Sequence, residues 1–363
     1  MRGGEKVLEQ FCQLFPNADI YSLVASKEKL SDIIRRHRIH VSMLGKVPFA
    51  TERYKPLLPF HPAAISSMRM DAGTRLAICS DAAMIKGIRL GDEAKLVCYC
   101  HSPPRYLWEM QSSYKSQSSG LGKLGGYVFD SVVPYCQRFD FNAAQRVDLF
   151  IANSKFVQSR IKKYYNKDSV VVNPPVDVES FHHLNQRSDF YLLISELVPY
   201  KRIDLAVEAF NACGKKLVVI GDGSERKSLE SRANSNITFL GRQPFDVLRK
   251  HYETCRAFVF PGVEDFGITP VEAQAAGSPV IAFGQGGALE TVVAGQTGYF
   301  FEEQSVECLL QAIIDFENRG PDAIRPEDCR ENAERYHPAI FRRRMLESLG
   351  SFLKEIGHEI PAL

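Results

Sequence analysis

The stretch from Phe260 to Gly298, FPGVEDFGITPVEAQAAGSPVIAFGQGGALETVVAGQTG, decides how the chain is read. Glu264 and Glu272 are separated by seven residues, with Gly267 and Pro270 between them. Thr269 suits a helix N-cap, Pro270 the first helical position and Gly277 a stop. The apolar run Ala257–Phe260 ahead of them is of strand type. Glu264 to Ile268 is therefore expected to be a loop leading from a strand end into a helix. A helix start offers unpaired N–H groups and the positive end of a dipole, which suits a diphosphate. Open α/β sheets also bind ligands at the carboxyl ends of their strands. Both carboxylates can then accept hydrogen bonds from sugar or ribose hydroxyls. Glu272 has a second reading, because Thr269-x-x-Glu272 is also a capping box. Glu264 and Asp265 have no such structural duty.

Outward from this stretch, short apolar runs alternate with helical patterns. Candidate strands are Asp19–Val24, Arg75–Ser80, Lys95–Cys100, Asp148–Asn153 and Ser169–Val172. A second series comprises Phe190–Ser195, Lys216–Ile220, Ile237–Leu240, Ala257–Phe260, Pro279–Phe283 and Gly298–Phe301. Several are continuous β-branched or aromatic runs, as in parallel strands buried on both faces. Helical patterns such as Ile203–Cys213 and Val306–Glu317 lie between them. The alternation predicts doubly wound α/β sheets. Asn173-Pro174-Pro175-Val176-Asp177 and the polar stretch His182–Asp189 form the natural linker. Two Rossmann-like domains are expected, over residues 1–176 and 177–336. The helical segment His337–Ile356, within residues 337–363, is expected to cross back to the first domain.

The bulk properties exclude several classes. A chain of 363 residues can bury two cores. A net charge of +2 gives no basis for a nucleic-acid binder. Nine cysteines have no repeating spacing, which reads as free thiols and gives no zinc site. No run reaches the roughly 20 apolar residues of a membrane span, and Met1-Arg2-Gly3-Gly4 is no signal peptide. A cytoplasmic protein is expected. Ser112–Gly126, rich in serine and glycine, reads as a mobile loop, either a plain surface loop or one that grips an acceptor.

The Phe260–Gly298 segment resembles the E-x7-E signature of retaining glycosyltransferase family 4, which has the GT-B fold. Gly286-Gly287 followed by Glu290 matches that family's later Gly-Gly element. Ser195–Leu205, SELVPYKRIDL, is similar to its strand-end segment with a phosphate-binding lysine. Gly221-Asp222-Gly223 matches its loop beside the nucleotide, and Gly241-Arg242 its turn near the base. Asn153-Ser154-Lys155-Phe156 and Pro174-Pro175-Val176-Asp177 resemble its interdomain elements. The resemblance covers nearly the whole chain.

It implies that Lys201, helped by Arg202, neutralises the donor diphosphate as charge develops on the leaving nucleotide. It implies that Glu264 meets the sugar hydroxyls, with Asp265 and the N–H groups of Phe266 and Gly267 nearby, and that Glu272 binds the ribose. Gly221, Gly223 and Arg242 complete the donor set. One position departs from the family: many members carry arginine where this chain has Glu196, and a carboxylate facing a diphosphate is repulsive. The segment His101-Ser102-Pro103-Pro104-Arg105-Tyr106-Leu107-Trp108 resembles a loop of bacterial mannosyltransferases in this family. Its histidine, at a strand's carboxyl end, is expected to orient donor or acceptor hydroxyls, and Trp108 to pack. Together these motifs most resemble the branch that uses GDP-mannose to build lipopolysaccharide O-antigen or exopolysaccharide, without a metal. A UDP-sugar donor and an inactive nucleotide-sugar binder are the alternatives.

Family members open with a buried strand, a glycine-rich loop and a helix. Here the loop Arg2-Gly3-Gly4-Glu5 comes first, then the helical Lys6–Phe15, so a strand further upstream is expected. Gly3 and Gly4 are candidates for diphosphate or acceptor contact. Arg35, Arg36, Arg38, Lys46, Arg53 and Lys55 lie among apolar residues, which fits a solvated face or docking on an anionic membrane.

Overall fold

The computed structural model describes residues 3–47, 55–109, 122–182, 187–320 and 323–357. It divides into two compact units, Met1–Pro174 with Phe341–Leu363, and Pro175–Ile340.

In the first unit, β1 (Ile20–Ser22) and β2 (Ile39–Val41) form a parallel pair. A separate parallel sheet has the order β3-β4-β5-β6, with β3 at Leu76–Asp81, β4 at Lys95–Cys100, β5 at Leu149–Ala152 and β6 at Ser169–Val171. Alternation along β4 sends Val97 and Tyr99 to one face and Leu96, Cys98 and Cys100 to the other. The first face packs against Val7, Phe11 and Leu14 of helix Gly3–Leu14. Phe341, Met345, Leu349 and Leu353 of the terminal helix Pro338–Glu355 join the same core. The second face meets Ala144, Val157, Ile161 and Tyr165. Each side of the sheet is thus sealed by helices, as parallel sheets require.

Two local expectations are corrected here. Gly3 and Gly4 belong to the first turn of helix Gly3–Leu14 rather than to a loop. Gly122–Gly126 opens the helix Gly122–Gln145, while the remainder of the serine–glycine patch lies outside the described residues, as does Arg53.

The second unit holds one six-stranded parallel sheet. Its strands are β7 (Phe190–Ile194), β8 (Lys216–Ile220), β9 (Ile237–Gly241), β10 (Phe258–Phe260), β11 (Val280–Phe283) and β12 (Gly298–Phe301). Their order is β12-β11-β10-β7-β8-β9, the doubly wound nucleotide-binding arrangement. Every residue of β10 and β11 is buried. On one face Leu193, Val219, Val259 and Ile281 pack with helices Ile203–Cys213 and Val306–Arg319. On the other, Leu192, Phe258, Val280 and Ala282 pack with Tyr252, Val271 and Tyr336.

Candidate active site

In the second sheet β7 and β10 are neighbours, and the chain winds away from them in opposite directions. Such a switch point leaves a crevice at the carboxyl ends of the two strands. A hollow lies there, lined by Ile194 and Ser195 at the end of β7, by Phe260, Pro261 and Gly262 at the end of β10, and by Lys201 and Glu264. Lys201 closes a short helical turn, Pro199–Lys201, and Arg202 follows in the left-handed conformation with φ of 56°. A Cβ on Gly262 would lie 2.8 Å from the Lys201 carbonyl oxygen, so only glycine lets the two loops close on each other. Lys201 Nζ is ion-paired with Glu264 Oε1, and both side chains are largely buried. The two residues that the sequence marked from separate motifs therefore meet.

The loop bearing Glu264 is held by the turn after β11. Gly287 N–H donates to the Glu264 carbonyl at 2.9 Å, and a Cβ at Gly287 would sit 2.2 Å from the Phe266 carbonyl oxygen. The Gly286-Gly287 pair thus serves close backbone packing behind the loop. Phe266 is buried and Gly267, with φ of 88°, caps the helix Ile268–Ala275. This corrects the expected cap at Thr269: a left-handed cap is open to glycine, and Thr269 lies inside the first turn. The helix ends as expected at Gly277, whose φ is 75° and whose N–H donates to the Gln274 carbonyl at 2.8 Å. The carboxylate of Glu272 accepts a 2.9 Å hydrogen bond from the Tyr252 hydroxyl.

At the neighbouring strand ends, Gly221 N–H donates to the Gly241 carbonyl at 2.9 Å, joining the β8 and β9 loops. Gly223 N–H is held by the Asp222 carboxylate at 2.9 Å. Arg242 is exposed just past β9. Arg202 is engaged by Asp204 at 3.2 Å, so its guanidinium does not accompany Lys201 onto Glu264. Glu196 is exposed, and its carbonyl accepts from Val198 N–H at 3.0 Å.

In the first unit, His101 stands one residue past β4, where its N–H donates to the Asp81 carbonyl at 2.8 Å. Its Nε2 is 2.7 Å from Ser80 Oγ, and its carbonyl accepts from Asn153 Nδ2 at 3.0 Å. A Cβ built on Gly4 would lie 3.5 Å from His101 Nε2, so the first turn of helix Gly3–Leu14 faces this ring. Arg160, 3% exposed, clamps the following loop through Ser102 Oγ at 2.9 Å and Glu109 Oε1 at 2.8 Å. Trp108 packs as expected, stacked on Tyr164, with its indole N–H on Asp140 at 2.8 Å. Beneath the loop, Lys86 bonds Asp81 at 2.8 Å and also Asp140, all three nearly inaccessible. Burial disfavours the Lys86 charge, but Asp140 and Asp81 outweigh it and hold the ammonium form far above its usual range. Burial also raises the Asp140 carboxyl, against the opposing pull of Lys86 and Trp108.

Residues 177–336 match the family described as Glycosyl transferases group 1. That segment is a group 1 glycosyltransferase domain. The chain is also similar to the alpha-1,3/1,6-mannosyltransferase ALG2 of Saccharomyces cerevisiae, at 26% identity, covering 67% of this chain and 60% of the yeast protein. A GDP-mannose-dependent alpha-(1-6)-phosphatidylinositol monomannoside mannosyltransferase of Mycobacterium tuberculosis is 34% identical, covering 34% of this chain and 36% of that protein. The chain therefore spans less than two thirds of the length of these relatives. Among solved structures, Anabaena HepE in complex with UDP and glucose superposes with a TM-score of 0.70 at 17% identity, covering 96% of each chain. That likeness is one of fold, and the chain has the GT-B fold its motifs imply.

The group 1 domain carries Lys201, Arg202, Gly221, Gly223, Arg242, Glu264, Asp265, Phe266, Gly267 and Glu272, while Gly3, Gly4 and His101 belong to the other unit. Sequence reasoning missed Tyr252, Ser80 and Arg160. Each acts on a marked residue from a different element, and no local motif announces such a partner.

Proposed function

We propose that the chain is a retaining glycosyltransferase that moves a hexose, mannose from GDP-mannose, onto a glycan or lipid-linked glycan in cell-surface polysaccharide assembly. The observation that carries the reading is the Lys201–Glu264 pair at the β7–β10 switch point of a group 1 domain. A diphosphate placed there replaces Glu264 as the partner of Lys201. The ammonium then neutralises charge that grows on the leaving nucleotide, and Glu264 is released to meet sugar hydroxyls. The start of helix Ile268–Ala275 adds backbone N–H groups and a positive dipole end. Glu272 takes the ribose, and His101 orients donor or acceptor hydroxyls. In the proposed step the bond between the anomeric carbon and the donor phosphate oxygen breaks as the acceptor oxygen bonds the same face, and that departing phosphate oxygen receives the acceptor proton. Positioning and electrostatics do the catalysis, with no metal ion in the scheme.

Mannose and guanine are favoured by the mannosyltransferases among the relatives. A uridine donor is a second reading, favoured by the structural neighbour that holds UDP and glucose. No helix among the described residues is long and apolar enough to cross a membrane. A lipid-linked acceptor would be met by peripheral contact at the cytoplasmic face, with Arg35, Arg36 and Arg38 exposed to serve it.

A thermal-shift panel of GDP, GDP-mannose, UDP and UDP-glucose tests the donor. A ligand at 100 times its dissociation constant adds about 2.7 kcal/mol of stability, readable as a raised melting temperature. Stabilisation by the guanine ligands alone is expected. A rise with the uridine ligands alone overturns the donor, and binding without sugar transfer or donor hydrolysis overturns the enzyme.

A further inference from the structure

We infer that Tyr252 is a positioning residue for the nucleoside: its hydroxyl holds the Glu272 carboxylate in the orientation that receives the ribose hydroxyls. The inference rests on the proposed role of Glu272.

Tyr252 lies on helix Phe245–Thr254 and is 1% exposed. Its ring packs edge-on against Phe181 at 5.7 Å and tilted against Phe258 at 5.6 Å. Its carbonyl accepts a 2.6 Å hydrogen bond from Ser278 Oγ, so the backbone is anchored as well as the ring. A side chain with two torsions, fixed at both ends, has one place for its hydroxyl. That place is 2.9 Å from Glu272 Oε2, on the helix that starts at the site.

The ring alone would satisfy this apolar cluster, and a hydroxyl buried there costs stability unless it finds a partner. Glu272 is that partner. The bond is charge-assisted, and donation to a carboxylate favours its ionised form. It also removes rotational freedom from a flexible side chain that otherwise pays for ordering when it binds ligand. A carboxylate that must meet two neighbouring hydroxyls needs a fixed orientation, and the Tyr252 hydroxyl anchors one of its two oxygens, Oε2.

The test compares the intact chain, Tyr252→Phe, Glu272→Gln and the double variant by calorimetric titration. The probes are GDP, UDP and their 2′,3′-dideoxy forms. In the parent protein the nucleotide that binds is expected to do so more tightly than its dideoxy form. Tyr252→Phe should weaken ribonucleotide binding about five- to tenfold while leaving the dideoxy form within about twofold. The double variant should bind no more weakly than Glu272→Gln alone. Parent-like affinity in Tyr252→Phe, with the ribose preference lost in Glu272→Gln, overturns Tyr252 and leaves Glu272 standing. Equal weakening of both nucleotide forms assigns Tyr252 a structural role only and also overturns the inference. A ribose preference that survives Glu272→Gln, or no binding of either nucleotide, removes the underlying reading.

Discussion

Replacing Lys86 with methionine should unfold the first unit far more readily at neutral pH than at pH 5. Lys86 is 1% exposed and lies between Asp81 at 2% and Asp140 at 0%. Methionine keeps the length of the chain but leaves two carboxylates buried without their cation. Removing one partner of a buried pair costs about 3–5 kcal/mol. Protonation limits the loss. Taking up one proton at pH 7 on a carboxyl with an ordinary value of 3.8 spans about three units, or about 4 kcal/mol. The hydrogen bonds from Trp108 and Tyr165 to Asp140, and from Ala83 N–H to Asp81, survive the substitution. They help one carboxylate to remain charged while the other is protonated.

The sign follows from the raised folded-state value. The penalty applies above it and shrinks by about 1.4 kcal/mol per pH unit as the pH falls toward the unfolded value. About 1.5 kcal/mol should remain at pH 5 by the same arithmetic. Trp108 is the chain's one tryptophan, and its indole sits on Asp140, so its fluorescence reports this unit. With a urea slope of about 2 kcal/mol/M, the midpoint should fall by about 2 M at pH 7 and by less than about 1 M at pH 5. An unchanged midpoint at pH 7, or a deficit that widens in acid, would refute the argument.

The remaining predictions concern the second unit. Burial works against the Glu317 carboxylate, but bonds from Arg256 and Tyr191 prevail and hold it at about 2. The carboxylate contributes its stability above its unfolded value near 4.5 and loses it as the pH falls toward 2. Discounted for partial exposure, that contribution is on the order of 2 kcal/mol. Glu317→Gln should therefore lower the melting temperature at pH 7, with the difference gone by about pH 2; a difference that persists there contradicts the assignment. Lys201→Met should weaken GDP at least about tenfold and leave guanosine unchanged in calorimetry, because the lost charge faces only the diphosphate. Equal loss of both ligands would place Lys201 elsewhere.

What was legible in the sequence divides by the range of the physics. Gly277 stops its helix and Ile203–Cys213 ends at Gly214, whose φ is 68°, because a left-handed terminus favours glycine and that signal lies within the segment itself. The buried strands were legible for the same reason, since parallel pairing covers both faces and forces continuous apolar runs such as those of β10 and β11. The strand Ile39–Val41 was not, because three half-buried residues beside a basic run carry no period. Thr269 misled because serine and threonine are the common caps, whereas the helix starts after Gly267, left-handed at φ 88° in a stretch whose neighbour Phe266 is closely approached by Gly287. That approach comes from another loop and leaves no mark at Thr269.

The site follows the same division. Lys201 and Glu264 were found separately, each by its motif at a strand end, and the sheet order then brought them together. Tyr252, Ser80 and Arg160 reach their partners across 20, 21 and 51–58 residues, from positions whose local pattern serves helix or strand packing. Motifs reveal groups that face a ligand, because ligand chemistry restricts residue type at fixed spacing. Groups that orient those residues answer only to the fold, and become visible when distant elements are placed side by side.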